Sequence, residues 1–208
     1  MRKGWIRVLS AFAMTASFLA GCGGDASEDQ PAVRQRTEDA SVVIAMDPNS
    51  EPAAGFDPAY GWGAGEHVHE PLIQSTLTVT NTDLTIGYDL ATDYTVSEDG
   101  LTWTVTIRDD VKFTDGEALT AEDVAFTYNT VKDSSSVNDF TMLDHAEAPD
   151  DTTVVFYMTR PFSIWPYTMA NVGIVPEHVY DSASYGADPV GSGRYILKQW
   201  DRGQQVIL

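Results

Sequence analysis

Apolar and polar positions alternate most clearly along Leu101-Thr102-Trp103-Thr104-Val105-Thr106-Ile107, with three threonines on one side and the large apolar residues on the other. A period of two predicts a strand with one buried and one wet face. Glu98-Asp99-Gly100 before it is a turn signal, and residues 93–97 are its expected hairpin partner. The period then lengthens: Val124, Tyr128 and Val131 recur at helical spacing, flanked by Phe126. That predicts a helix over residues 121–132, capped by Thr120, with Glu122 and Asp123 favouring its positive end. Residues 141–148 and 153–158, about the turn Pro149-Asp150-Asp151, read as a second hairpin.

Shorter elements complete the pattern. Residues 41–46, bounded by Asp47-Pro48, read as a buried strand. Residues 66–75 suit a short helix with Pro71 near an end or a kink. Residues 161–169 and 176–180 are helical pieces, each opened by proline. Residues 194–200 and 204–208 flank a turn at Asp201-Arg202-Gly203. Strands and helices interleave irregularly, so the fold class is α/β in the mixed α+β sense, not a clean doubly wound sheet. Trp103, Phe113, Phe126 and Tyr128 fall to the core, and Trp165 and Trp200 to structural roles.

The first 21 residues differ from the rest. Arg2, Lys3 and Arg7 precede an apolar run over residues 8–19, too short to span a bilayer comfortably, and small residues then precede Cys22. Leu19-Ala20-Gly21-Cys22 resembles a bacterial lipoprotein box, in which the thiol is acylated and becomes the first residue of the mature protein. Residues 1–21 are thus expected to be a signal peptide. Residues 22–40 are polar, small and charged, and are expected to form a flexible tether behind the acylated Cys22.

Formal net charge is −19, and loss of the first 21 residues, with three basic and no acidic groups, takes it to −22. Nucleic acid and anionic membrane faces are repelled by such a chain. Cys22 is the one cysteine, which excludes an internal disulfide, a second thiol for catalysis and a cysteine metal cluster.

A longer stretch carries a family likeness: Asp99-Gly100-Leu101-Thr102-Trp103-Thr104-Val105-Thr106-Ile107-Arg108, then Val111-Lys112-Phe113-Thr114-Asp115-Gly116-Glu117-Ala118-Leu119-Thr120-Ala121-Glu122-Asp123-Val124. It resembles the signature of family 5 bacterial solute-binding proteins, the extracytoplasmic receptors of ABC importers for oligopeptides, dipeptides and nickel. Glu70-Pro71-Leu72, Leu90-Ala91-Thr92-Asp93-Tyr94, Ile174-Val175-Pro176-Glu177-His178 and Asp188-Pro189-Val190-Gly191-Ser192-Gly193 extend the resemblance over residues 41–208. Arg194 stands where the family often has proline. The resemblance implies a periplasmic-binding-protein-like, type II-like fold of two lobes closing on ligand. Family members are far longer, and the chain stops at Leu208 in what reads as mid-strand, so residues 41–208 are expected to be a truncated N-terminal part. The implied function is capture of peptides and delivery to an ABC permease by a monomeric, lipid-anchored protein at the outer face of the cytoplasmic membrane, without cofactor or enzymatic chemistry. A nickel or metal-chelate receptor, and a surface lipoprotein for adhesion alone, stay open as alternatives.

Candidate ligand-binding residues follow from chemistry and place. Tyr60 and Trp62 stand in a glycine-rich loop after the first strand, where the family faces its cleft and a ring can stack on ligand. His67 and His69, two apart, project together only on a strand, because a helix would need four-residue spacing to bring them to one metal. The acidic pairs Asp109-Asp110, Asp150-Asp151 and Glu122-Asp123 sit in turns or at a helix start, where solvation and capping explain them. No nucleophile elbow, phosphate loop or zinc helix is present in the sequence.

Overall fold

Alternation along residues 101–107 produces the centre of the molecule, a four-stranded antiparallel sheet of order β4-β5-β7-β6. Its strands are β4 (Ala91–Val96), β5 (Thr102–Ile107), β6 (Leu143–Asp150) and β7 (Thr153–Met158). The computed structural model describes residues 43–44, 52, 55–60, 71–134 and 139–208, all within the unit Arg36–Leu208. Trp103, Val105 and Ile107 turn inward from β5 beside Val154, Phe156 and Met158 of β7, while the intervening threonines face out. Cross-strand partners such as Trp103 and Phe156 put inward side chains level on one face.

Helix α1 (Ala121–Ser134) covers that face. At its start Asp123 reaches back one turn: its Oδ2 accepts from the Thr120 amide at 2.9 Å and the Thr120 hydroxyl at 3.3 Å, the return half of a capping box. Val124, Tyr128 and Val131 are fully buried, so the helical period points at the core as expected. Tyr128 meets Phe156, Phe140 and Trp165 with ring centroids 4.7, 6.3 and 5.6 Å away. Trp165 opens the short helix α2 (Trp165–Met169), shorter than residues 161–169 suggested, and residues 177–179 form a single 3-10 turn.

Two smaller sheets flank this body. Strands β2 (Thr78–Thr80) and β3 (Ile86–Tyr88) form a hairpin, and β1 (Val43–Ile44), β9 (Gln205–Ile207) and β8 (Gln199–Asp201) form a three-stranded sheet of order β1-β9-β8. Around the latter lies a second core of Ile73, Val206 and Leu208, with Phe56, Tyr195, Leu197 and Trp200 packed against it.

Two expectations change. Residues 71–75 are not helical; the part of that proposed helix over residues 66–70 lies outside the described residues. The backbone groups of residues 72–75 are committed elsewhere: Leu72 and Ile73 carbonyls accept from Tyr195 and Gly193 amides at 3.1 and 2.7 Å, and the Ser75 carbonyl from Ile174 at 2.9 Å. Phe126 is half-buried at the surface of α1, its ring edge-on to Tyr180 at 5.5 Å, and not in the core.

Candidate functional site

The loop at residues 55–60 is held by polar groups that its own sequence brings. Asp57, 1% exposed, accepts the Ala59 amide at 2.8 Å on one carboxylate oxygen, an Asx turn, and the Tyr180 hydroxyl at 3.0 Å on the other. Gln74 donates to the Phe56 carbonyl at 3.0 Å and to the Tyr185 hydroxyl at 3.2 Å, which donates in turn to the Val190 carbonyl at 2.8 Å. Gly55 has a φ of +72°, and a Cβ there would stand 2.1 Å from the Gly186 carbonyl oxygen; Phe56 donates to that same oxygen at 2.8 Å. Only glycine fits both the left-handed backbone and that approach. Phe56 also meets the Trp200 ring edge-on at 5.2 Å, tying the loop to the β8–β9 hairpin.

These ties leave a small cleft of about 290 Å³ lined by Gly55, Tyr60, Ser182, Ala183, Gly186, Ala187 and Arg202. Tyr60 is 36% exposed, and Arg202, also exposed, lays its guanidinium 4.1 Å from the centre of the Trp200 ring. The stack pre-orients the cation without neutralising it. The cleft therefore offers an aromatic surface, a cation and a hydroxyl at the small end of the range for ligand pockets.

Burial raises the carboxyl of Asp57 above the usual carboxylate range, against the lowering effect of the Ala59 amide and the Tyr180 hydroxyl. Tyr180 and Tyr185 are raised as phenols, mainly by burial, so both act as neutral hydrogen-bonding groups. With a folded value above the unfolded one, Asp57 contributes most to stability at acid pH, and that contribution is lost as pH rises through its folded value. Asp57→Ala should cost about 2 kcal/mol, because it strands the Ala59 amide and the Tyr180 hydroxyl. Asp57→Asn should stay near wild type and flatten stability across the acid range. Urea unfolding at several pH values measures both.

Of the residues singled out by sequence, Tyr60 is at this cleft, while Cys22, Trp62, His67 and His69 lie outside the described residues. Arg202, Ser182 and the Asp57–Tyr180 pair were not anticipated. Asp57-Pro58-Ala59 carries a legible Asx-turn signal, whereas Arg202 reads only as part of a turn. Among the acidic pairs, Asp110 forms an ion pair with Arg108 at 2.5 Å, Asp150 accepts from the Thr152 amide at 2.9 Å, and Asp123 caps α1. Gly191-Ser192-Gly193 is a structural clasp on residues 73–75, with Ser75 donating from its amide to the Ser192 hydroxyl oxygen at 3.3 Å and from its hydroxyl to the Ser192 carbonyl at 3.0 Å.

Residues 85–208 match the family described as bacterial extracellular solute-binding proteins, family 5 Middle. The chain belongs to that family. The probable D,D-dipeptide-binding periplasmic protein DdpA of Escherichia coli K12 is 31% identical over 176 residues, covering 79% of this chain and 34% of the relative. Oligopeptide-binding protein AppA from Bacillus subtilis, solved with a nonapeptide, superimposes with a TM-score of 0.65 at 29% identity, over 76% of this chain and 34% of that one. NikZ from Campylobacter jejuni, solved with Ni(L-His), gives a TM-score of 0.67 at 26% identity, over 76% and 33%. The chain thus spans about a third of the length of these relatives. They are substrate-binding transport proteins with a periplasmic-binding-protein-like fold, and this chain covers part of that fold.

Proposed function

We propose that this chain is part of a lipid-anchored receptor that captures peptides outside the cytoplasmic membrane and hands them to an ABC permease. The observation that supports a peptide is the pairing of the exposed Tyr60 with the Arg202 guanidinium around one cleft. A peptide carries both an apolar or aromatic side chain to lay on a ring and a carboxylate to meet a cation. Binding, with lobe closure shifting the population toward the liganded form, is the whole of its work, and no bond is made or broken. Acylation of Cys22 would hold the protein at the membrane surface, with residues 23–40 as its tether.

A metal chelate is the second reading, favoured by His67 and His69 close behind Trp62 in the sequence. Calorimetric titration of the full protein with short peptides and with Ni(II)–histidine separates the two. The peptide reading expects Tyr60→Ala and Arg202→Gln each to weaken peptide binding about tenfold, or about 1.4 kcal/mol. Tight nickel–histidine binding that His67→Ala abolishes, with no peptide binding, would favour the chelate instead.

A further inference from the structure

We infer that the Tyr60 cleft reads the free C-terminal carboxylate of a peptide, and that Arg202 sets this end-group specificity. The inference rests on the peptide reading above and adds which part of the peptide the cleft takes. Acidic residues outnumber Lys and Arg by 31 to 12 in this chain, so a lining that holds a cation and no acid runs against the composition. Among the described residues Arg202 forms no ion pair.

The carboxylates next to the cleft are all held by other donors. Asp201 precedes Arg202 in the chain, yet Gln199 Nε2 donates to both its oxygens at 2.9 and 2.8 Å, and Gln205 Nε2 donates to one of them at 2.7 Å. Asp181, before Ser182, accepts from the Ala183 amide at 3.0 Å and the Ser184 hydroxyl at 3.1 Å. Asp57 is committed to the Ala59 amide and the Tyr180 hydroxyl. Arg202 itself lies over the Trp200 ring, which Phe56 steadies from its edge. Stacking occupies the face of a guanidinium and leaves its N–H edge for a planar acceptor, which a carboxylate meets with two parallel bonds. Ser182 adds a hydroxyl to the same lining, and an ammonium end would be repelled.

The walls explain why the end of a chain fits and its middle does not. Ala183, Gly186 and Ala187 have no side chain beyond Cβ, and the volume of about 290 Å³ is at the bottom of the range for ligand pockets. Gly55 and Gly186 close on each other at one wall, where Phe56 donates to the Gly186 carbonyl at 2.8 Å, so no chain threads between the two loops. A small last residue with its carboxylate on Arg202 suits this space. Every unblocked peptide carries that group whatever its sequence, which suits capture of mixed peptides.

The test is equilibrium dialysis of the full protein against short mixed-sequence peptides, supplied as free acids or as C-terminal amides, with retained sequences read by mass spectrometry. Wild type should retain the acids at least about tenfold better than the amides, with glycine, alanine and serine enriched at the last position. Arg202→Gln should hold acids and amides alike, and Arg202→Lys should restore part of the preference. Arg202 is exposed, so the melting midpoint of both variants should match wild type; if it moves, Ala187→Leu, which narrows the cleft at an exposed position, should weaken retention of the acids instead. Equal retention of acids and amides by wild type overturns the inference and leaves the peptide reading standing, as does retention of amides that carry glutamate as firmly as the acids. A preference that survives Arg202→Gln overturns it too. Retention of neither set overturns the inference and the peptide reading together.

Discussion

Gly191→Ala should destabilise the protein by about 3 kcal/mol or more, and loosen the cleft as it does so. A Cβ at Gly191 would stand 2.2 Å from the Ile73 carbonyl oxygen and 2.8 Å from the Ile73 Cγ2. Backbone on both sides cannot give way cheaply: the Gly191 carbonyl accepts from the Thr114 amide at 2.9 Å, and Gly193 donates to the Ile73 carbonyl at 2.7 Å. Gly173 presses on residue 74 elsewhere, where a Cβ would lie 2.7 Å from the Gln74 Cβ. Residues 73–74 therefore have little free space to retreat into. Moving them also moves Gln74, whose side chain fastens both Phe56 and Tyr185 beside the cleft. Urea unfolding should show a lower midpoint with an unchanged slope. A loss below about 1 kcal/mol would mean the clasp has slack that the geometry denies.

Trp165→Ala should cost about 4 kcal/mol, within the range for truncating a buried large aromatic. Trp165 is fully buried, and the rings of Phe156, Tyr128 and Phe140 lie 5.2, 5.6 and 6.2 Å away. Among the described residues its indole N–H has no hydrogen-bond partner, so ring packing is what the substitution removes. Helix α2 has five residues and no side-chain cap, so burial of Trp165, Pro166 and Met169 is what seats it. A bond of 2.6 Å from the Thr78 hydroxyl to the Pro166 carbonyl adds to this seat and passes the disturbance to β2. Among the described residues no hydrogen bond or ring contact joins Trp165 to Gln74 or Asp57, so peptide affinity of the folded fraction should hold. Chemical unfolding and calorimetry on the same variant separate the two effects.

Elements whose partners are close in sequence could be read in advance. The β4–β5 and β6–β7 hairpins and α1 follow from period and turn chemistry, and the structure places each within a residue or two of expectation. Residues 71–75 could not be read this way, because their backbone bonds go to residues more than 95 positions onward. The clamp on the loop at residues 55–60 failed for the same reason: Asp57 and Tyr180 are 123 positions apart. Phe126 misled in a different manner. Its aromatic ring suggested the core, but Glu122, Asn129, Thr130 and Asp133 at helical spacing from it mark the polar side of α1, and its ring is instead covered by Tyr180, far along the chain. Tyr60 was found through its glycine-rich surroundings, whereas Arg202 gave no local sign of reaching the same cleft.

The most direct measurement of the central claim is native mass spectrometry on the full protein purified from its native host, followed by denaturation and identification of what is released. A peptide receptor should release a distribution of short peptides, and the emptied protein should take peptides up again. A single nickel-containing chelate, or a protein that arrives empty and refuses peptides, would contradict the account.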